Sequence, residues 1–331
     1  MFDGKSTLQL AIDRLAPTFG LNNIIISTNQ GYKKYVAEQL PGLPAANIIT
    51  EPEKRDVGPA VGLNLMYLKK RGYSGPVALL WSDHLMDNVP RFIESLKTAA
   101  KVCTDDPKKV ALISEKPRFP NNNLGWIHFG KDNHDGSYGF IGFKYKPEYT
   151  ACEEMFKSGE WDWNPGYMIV DLDNALSLFK THTPDIYSGL QTIYDAIDTP
   201  DEARVIGEVY PTIPKLHFDY VIAENISPED AVVVRSDMGW SDPGTLYALK
   251  EALVKQEADN FEIGDMIKML DTSDSLIVNE EHNKIIAAVG LSGMVIINTD
   301  DVLLVVPKTE VLRITDMVNG LAEDPKTEKY I

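Results

Sequence analysis

The chain has 331 residues, a hydrophobic content of 44% and a formal net charge of −17. That size allows a substantial core, divided between a larger domain and a smaller one. The charge argues against a protein that grips a nucleic acid polymer through a broad basic surface, while leaving room for a small basic pocket around a phosphate. Cys103 and Cys152 fall in no metal-binding or redox spacing, and the sequence shows neither a leader pattern nor an apolar run of about 18 residues. These features predict a reduced, soluble, cytoplasmic protein without membrane association.

In chain order, Ser6 or Thr7 is placed to cap an amphipathic helix carrying Leu8, Ala11, Ile12 and Leu15. A strand at Asn23 to Thr28, a short helix at Tyr32 to Leu40, a strand at Asn47 to Thr50 and a helix from Pro59 to Arg71 follow. This alternation predicts a doubly wound parallel sheet. It opens on a helix, without the strand and loop that usually feed the first helix of a nucleotide-binding unit, so the expected catalytic domain is N-terminally incomplete. Some α/β domains do begin with a helix, and periodicity does not separate the two cases.

The next strand, Val77 to Trp81, turns polar abruptly at Ser82, Asp83 and His84. Ligands of open α/β sheets sit beyond the carboxyl ends of strands, which suits Asp83 to a cation or a metal-bound phosphate. The competing reading is a cap for the helical stretch from Val89 to Val102, and this segment alone favours the cap.

Lys109 to Ser114 reads as a strand. Gly125 to Phe129 and Gly139 to Phe143 then read as a β-hairpin around the polar turn Lys131 to Ser137, inserted over the sheet's binding edge. Lys144 to Pro147 leave the hairpin, and Thr150 to Ser158 form a helix. Trp161 to Gly166 predict a stiff turn ahead of a strand from Tyr167 to Val170. Asn164 there either offers its amide to sugar hydroxyls beside an aromatic wall or satisfies its own turn. Helices at Leu172 to Lys180 and Asp185 to Ile197, a polar patch and a strand at Ala231 to Val234 lead to Asp242, held by Pro243 and Gly244 before a helix from Leu246 to about Gln256. Asp83 and Asp242 together could hold a divalent ion, although single aspartates at helix starts are commonly caps. Beyond Asn260 the texture changes to short β-branched runs, Leu276 to Val278, Lys284 to Ala288, Met294 to Asn298 and Val302 to Val306, closed by a helix from Thr309 to Leu321. The predicted partition is residues 1–258 and a β-rich domain at 259–331.

Six ordered pieces carry a resemblance over nearly the whole chain: GKSTLQLAIDRL (4–15), EPEKRDVGPAV (51–61), WSDH (81–84), WDWNPG (161–166), FDYVIAEN (218–225) and GWSDPGT (239–245), with VIINTDDVLLVVPK (295–308) in the β-rich domain. The sequence resembles the mannose-1-phosphate guanylyltransferase family, the GDP-mannose pyrophosphorylases among the sugar nucleotidyltransferases. The resemblance implies a Rossmann-like nucleotidyltransferase α/β sheet with an inserted hairpin, followed by a small β-rich domain ending in a helix. It implies transfer of GMP from GTP to mannose 1-phosphate with Mg²⁺ as cofactor. Asp83 and Asp242 become the metal ligands and, with Lys146, the catalytic residues. Glu51 meets the guanine edge, with Pro52, Arg55 and Gly58 completing the nucleotide site. Gly125, Tyr145, Lys146, Asn164, Asp219 and Tyr220 form the sugar-phosphate site. The implied partners are GTP and mannose 1-phosphate, with a homodimer compatible with the β-rich domain.

The sequence departs from the family at several points. The family's opening GGxGTRLxPLS loop is not among these residues, and loss of even one well-aimed phosphate donor costs about 3 kcal/mol, so the expected turnover is low unless another segment supplies the cradle. The family's RNTAPA is Arg55-Asp56-Val57-Gly58-Pro59-Ala60, Tyr145 replaces the glutamate of VEKP, and Pro165 replaces the serine of WNSG. The sequence therefore leaves two alternatives: a catalytically impaired nucleotide-sugar-binding homologue or regulatory subunit, and a nucleotidyltransferase acting on another hexose 1-phosphate.

Overall fold

The computed structural model describes residues 5–218, 225–244, 250, 254 and 258–330. They divide into two compact units, one made of residues 1–82 and 86–239 and the other of residues 83–85 and 240–331.

The chain begins with α1 (Thr7–Phe19), β1 (Ile26–Asn29), α2 (Lys33–Gln39), β2 (Ile48–Glu51), α3 (Val57–Lys70), β3 (Pro76–Leu79), β4 (Leu85–Met86) and α4 (Val89–Asp105). There follow β5 (Val110–Glu115), β6 (Gly125–Asp132), β7 (Tyr138–Lys144), α5 (Tyr149–Ser158), β8 (Trp161–Asp171), α6 (Leu172–His182), α7 (Pro184–Ala196), α8 (Glu202–Val209) and β9 (Ala231–Ser236). Ser6 starts α1 through a capping box: its hydroxyl accepts from Gln9 N while Gln9 Oε1 accepts from Ser6 N. The cap of α4 is Asn88, whose side chain accepts from Arg91 N at 3.1 Å, with Pro90 in the first turn. Neither Ser82 nor Asp83 fills that place.

Six strands in the order β3-β8-β5-β9-β7-β6 form the main sheet, with β8 also pairing β6, while β1 and β2 make a separate parallel pair. β5 is buried at every position. Its alternate side chains serve two layers, as the period of a strand requires. Val110 and Leu112, with Met168 and Val170 of β8, pack among Leu63 and Leu65 of α3, Phe179 of α6 and Leu190 of α7. On the other side Cys103 Sγ of α4 reaches Ile169 O at 3.3 Å and Phe92 lies 5.7 Å from the Tyr167 ring. Each such buried aliphatic or aromatic side chain contributes about 1.5–3 kcal/mol. Asp162 of β8, almost wholly buried, is held by Arg235 of β9 through two bonds of 2.8 and 3.1 Å and by Ser114 Oγ of β5 at 2.8 Å. Three sheet strands are thereby tied by one charge pair.

The α/β sheet with its hairpin is as expected, and three details differ. The sheet is mixed: β5 and β9 pair in parallel, whereas β8 runs antiparallel to β3, β5 and β6. The hairpin β6–β7 is part of this sheet, since β7 pairs β9 and β6 pairs β8, so it does not lie over an edge. The expected stiff turn is instead the first half of the continuous strand β8. Pro165 and Gly166 are accommodated by an irregularity in the β5–β8 register between Ile113 and Glu115, with Gly166 at φ 75°. The polar patch after Ile197 contains α8.

In the second unit, β10 (Trp240–Ser241) precedes β11 (Phe261–Ile263), β12 (Ile267–Leu270), β13 (Leu276–Asn279), β14 (Ile286–Val289), β15 (Met294–Asn298), β16 (Leu303–Pro307) and α9 (Ile314–Glu323). The helix expected from Leu246 to Gln256 falls almost entirely outside the described residues. β11, β13 and β15 stack in parallel, and β12 and β14 form a second parallel ladder. Successive turns of one coil thus lie on each other, the geometry of a β-solenoid. Asn298 Nδ2 donates to Asn279 Oδ1 at 2.8 Å, and Asn279 Nδ2 donates to Lys284 O, so stacked asparagines satisfy a buried corner. β16 closes one side in antiparallel register with β15, and α9 ends the domain. No helix among the described residues is long and apolar enough to cross a membrane.

Candidate functional site

The second unit carries both expected metal ligands. Asp83 is exposed, and among the described residues its carboxylate accepts no hydrogen bond. Its neighbour His84 is buried and lies edge-on to Trp240, with ring centroids 5.3 Å apart. Trp240 Nε1 donates to His84 Nδ1 at 3.0 Å, and His84 Nε2 lies 3.9 Å from Asp242 Oδ1. Asp242 Oδ1 also accepts from Gly244 N at 2.9 Å, and a Cβ on Gly244 would approach that oxygen to 2.8 Å. The loop therefore fixes the carboxylate, and His84 joins the two aspartates into one neighbourhood. No cluster of three or more metal-ligating side chains occurs among the described residues. The fit is to a hard cation that takes one or two carboxylates and completes its shell with substrate phosphate oxygens and water, which is the habit of Mg²⁺.

The expected nucleotide residues lie at the carboxyl end of β2 and the start of α3, in the first unit. Glu51 Oε2 accepts from the hydroxyl of Tyr210, a fully buried residue, at 2.7 Å. Burial raises the Glu51 carboxyl above the ordinary glutamate range, against the lowering effect of the Tyr210 hydroxyl and the Arg55 backbone donor, and burial likewise raises the Tyr210 phenol. Asp56 caps α3 through Val57 N at 2.9 Å from a backbone conformation, φ 71° and ψ 178°, that only glycine adopts without strain. His217 Nε2 stands 3.4 Å from Asp56 Oδ2. Arg55 reaches Glu53 at 2.9 Å, while its buried Nε has no partner among the described residues. Gly58 donates to Leu216 O at 2.9 Å, and a Cβ there would approach that oxygen to 2.6 Å. It serves as a point of close backbone approach. Pro52 lies in the bend between β2 and α3.

The expected sugar residues gather at one end of three strands, also in the first unit. Gly125 of β6 and Asn164 of β8 are direct cross-strand partners, and a Cβ on Gly125 would strike the Phe143 ring. Trp126 pairs with Lys144, the last residue of β7, so Tyr145 and Lys146 follow at the same end of the hairpin. Tyr145 is well exposed, and Lys146, at φ 39°, holds its ammonium 5.3 Å from the Tyr145 ring. Asn164 Oδ1 accepts from Gly166 N at 2.9 Å, which satisfies its own turn. Asp219 and Tyr220 lie outside the described residues.

Sequence reasoning passed over His84, Tyr210 and Asp56. His84 stood in view beside Asp83. Tyr210 offered no local signal, because its partner Glu51 is 159 residues away in sequence. The nucleotidyl transferase family model matches residues 1–259, and the model of the MannoseP isomerase/GMP-like β-helix domain matches residues 265–321. The chain belongs to the nucleotidyl transferase family. Among its relatives, a mannose-1-phosphate guanylyltransferase of Klebsiella pneumoniae is 28% identical over 334 residues, covering 99% of this chain and 69% of that one. The mannose-1-phosphate guanylyltransferase RfbM of Salmonella typhimurium is 28% identical, with 98% and 68% covered. A Vibrio cholerae protein is 31% identical, with 97% and 68% covered. A solved Thermus thermophilus structure, described as a mannose-1-phosphate geranyltransferase, superposes with a TM-score of 0.82 at 25% identity, covering 97% of this chain and 90% of that one. These matches bear out the resemblance carried by the six ordered sequence pieces. In this nucleotidyl transferase the β-rich end is a β-helix of the kind the second family model describes.

Proposed function

We propose that the chain acts as a mannose-1-phosphate guanylyltransferase, forming GDP-mannose and pyrophosphate from GTP and mannose 1-phosphate. The observation that carries this reading is the presence, in a nucleotidyl transferase whose guanylyltransferase relatives match nearly its whole length, of Asp242 fixed by Gly244 N and an exposed Asp83 on either side of His84. A phosphate oxygen of mannose 1-phosphate attacks the α-phosphorus of GTP, a new P–O bond forms, and the bond from the α-phosphorus to the bridging oxygen breaks as pyrophosphate leaves. The nucleophile is already anionic, so no serine, cysteine or histidine base is required. Asp83 and Asp242 would hold Mg²⁺, which would supply neutralisation of phosphate charge. Lys146 adds a positive charge for the sugar phosphate. Glu51, half-buried and braced by Tyr210, presents acceptors that match the paired N–H donors of guanine. Asn164 retains its amide nitrogen for a sugar hydroxyl while its oxygen holds the turn.

The test is nucleotide exchange in the reverse direction: labelled pyrophosphate incorporated into GTP from GDP-mannose with Mg²⁺. Exchange that depends on GDP-mannose supports the reading. Exchange that proceeds equally with another nucleoside diphosphate sugar refutes the guanine and mannose assignments.

A further inference from the structure

Tyr210 is fully buried, in the core cluster of the first unit that contains Leu190 and Ile193 of α7 and Ile213. A single 3₁₀ turn, Tyr210–Thr212, holds its backbone: Tyr210 N donates to Ile206 O of α8, and Tyr210 O accepts from Ile213 N at 3.1 Å. The ring is thus fixed from the side of the helices, while its hydroxyl reaches Glu51 Oε2, at the carboxyl end of β2, at 2.7 Å. That length suits a hydroxyl donating to a carboxylate.

The bond restricts what Glu51 can present. The terminal torsion of a glutamate is broad and two-fold, so an unheld carboxylate sweeps its acceptors over a wide arc. An ionised carboxylate has about four acceptor positions. Tyr210 takes one and the Arg55 backbone N–H another. The positions left, on a half-buried group, match the neighbouring N1 and N2 donors of a guanine edge. Adenine sets an acceptor at N1 beside its N6 donor, so an ionised carboxylate meets one lone pair with another. A protonated carboxyl would fit adenine instead, donating to N1 and accepting from N6.

The charge of Glu51 therefore decides the base, and the groups around it divide. Burial and Asp56, which itself faces His217, favour the neutral form. Tyr210, the Arg55 N–H and Lys54 favour the ionised form, Tyr210 most strongly, while the Arg55 guanidinium is drawn to Glu53. Resting on the guanylyltransferase reading with Glu51 at the base, we propose that Tyr210 is a positioning residue that fixes the Glu51 carboxylate as a pair of acceptors and thereby sets the preference for a guanine nucleotide over an adenine one. Tyr210 touches no substrate and acts through Glu51 alone.

The test compares the dissociation constants of GTP and ATP, which carry the same triphosphate, so that their ratio isolates the base edge. Tyr210→Phe keeps the ring in the core and removes one hydroxyl. The expected result is a preference for GTP reduced by about tenfold or more. The preference falls further as pH is lowered, with the midpoint of that fall at higher pH than in the wild-type chain, and affinity for mannose 1-phosphate is unchanged. The Tyr210→Phe, Glu51→Gln double variant is expected to discriminate as Glu51→Gln alone does. An undiminished preference in Tyr210→Phe, an equal loss of affinity for GTP, ATP and mannose 1-phosphate, or additive effects in the double variant overturns the proposal and leaves the guanine reading standing. A wild-type chain without preference for GTP, or a preference that survives in Glu51→Gln, overturns both.

Discussion

Trp240 Nε1 donates a hydrogen bond to His84 Nδ1 at 3.0 Å, and this places the proton of neutral His84 on Nε2, the nitrogen 3.9 Å from Asp242. A buried indole thereby sets the tautomer of a buried imidazole, which in turn orients a carboxylate. His84→Gln is expected to raise the Mg²⁺ concentration for half-maximal turnover by about 10- to 100-fold, the usual effect of removing a group that orients a metal ligand. A Mg²⁺ titration of the exchange reaction measures it. An unchanged midpoint would assign His84 to packing alone.

Asp83 and Asp242 differ in what they hold. Asp83→Asn removes a charge from a group with no hydrogen-bond partner among the described residues, and Asp242→Asn keeps an oxygen for Gly244 N. Each is expected to lower turnover by about a hundredfold or more while moving the melting temperature by no more than about 2 °C. Calorimetry alongside the exchange assay separates loss of chemistry from loss of fold.

With Glu51 at the guanine edge, as proposed, nucleotide binding should depend on protons. Its folded carboxyl is raised by burial, so the stability it contributes is fully present below the unfolded glutamate value of 4.5 and is lost as pH rises through the raised folded value. Guanine N–H donors favour the ionised form and lower that value again, so GTP binding just above the ordinary glutamate range should release protons. Calorimetric titration in two buffers of different ionisation enthalpy detects the release. Glu51→Gln should abolish it and weaken GTP binding by about ten- to a hundredfold, the worth of charged hydrogen bonds.

Asp162 and Arg235 test the sheet itself. Asp162→Asn would leave Arg235 facing Phe129, whose ring centroid is 3.5 Å from the guanidinium carbon, without its counter-charge. Breaking a buried pair costs about 3–5 kcal/mol. Urea unfolding should show a loss of that order. A loss below about 1 kcal/mol would mean that solvent reaches the pair.

The alternation of α1 to β3 was legible because each helix and strand carries its own apolar period, and Ser6 was legible as a cap because the capping box is local. The mixed direction of the main sheet was not, since hydrophobic runs such as residues 110–113 and 167–170 read alike in parallel and antiparallel neighbours. Trp161 to Gly166 looked like a turn because Pro-Gly is a turn signal, whereas pairing on both sides of the irregularity holds it as strand. The solenoid had a signal that local reading missed: Asn279 and Asn298 are 19 residues apart, as are the paired residues Ile267 and Ile286. At the site, Asp83 looked like a cap until Asn88 was found in that role. Gly125 and Asn164 became neighbours only through the β6–β8 register.

In the proposed reaction Asp83 and Asp242 serve a Mg²⁺-dependent transfer of GMP to mannose 1-phosphate. The most direct measurement is pyrophosphate release from GTP, with and without mannose 1-phosphate, by the wild-type chain and by the Asp83→Asn, Asp242→Asn double variant. Release is expected to require both mannose 1-phosphate and Mg²⁺ and to disappear in the folded double variant. Release that persists in the double variant, or that is independent of mannose 1-phosphate, would contradict it.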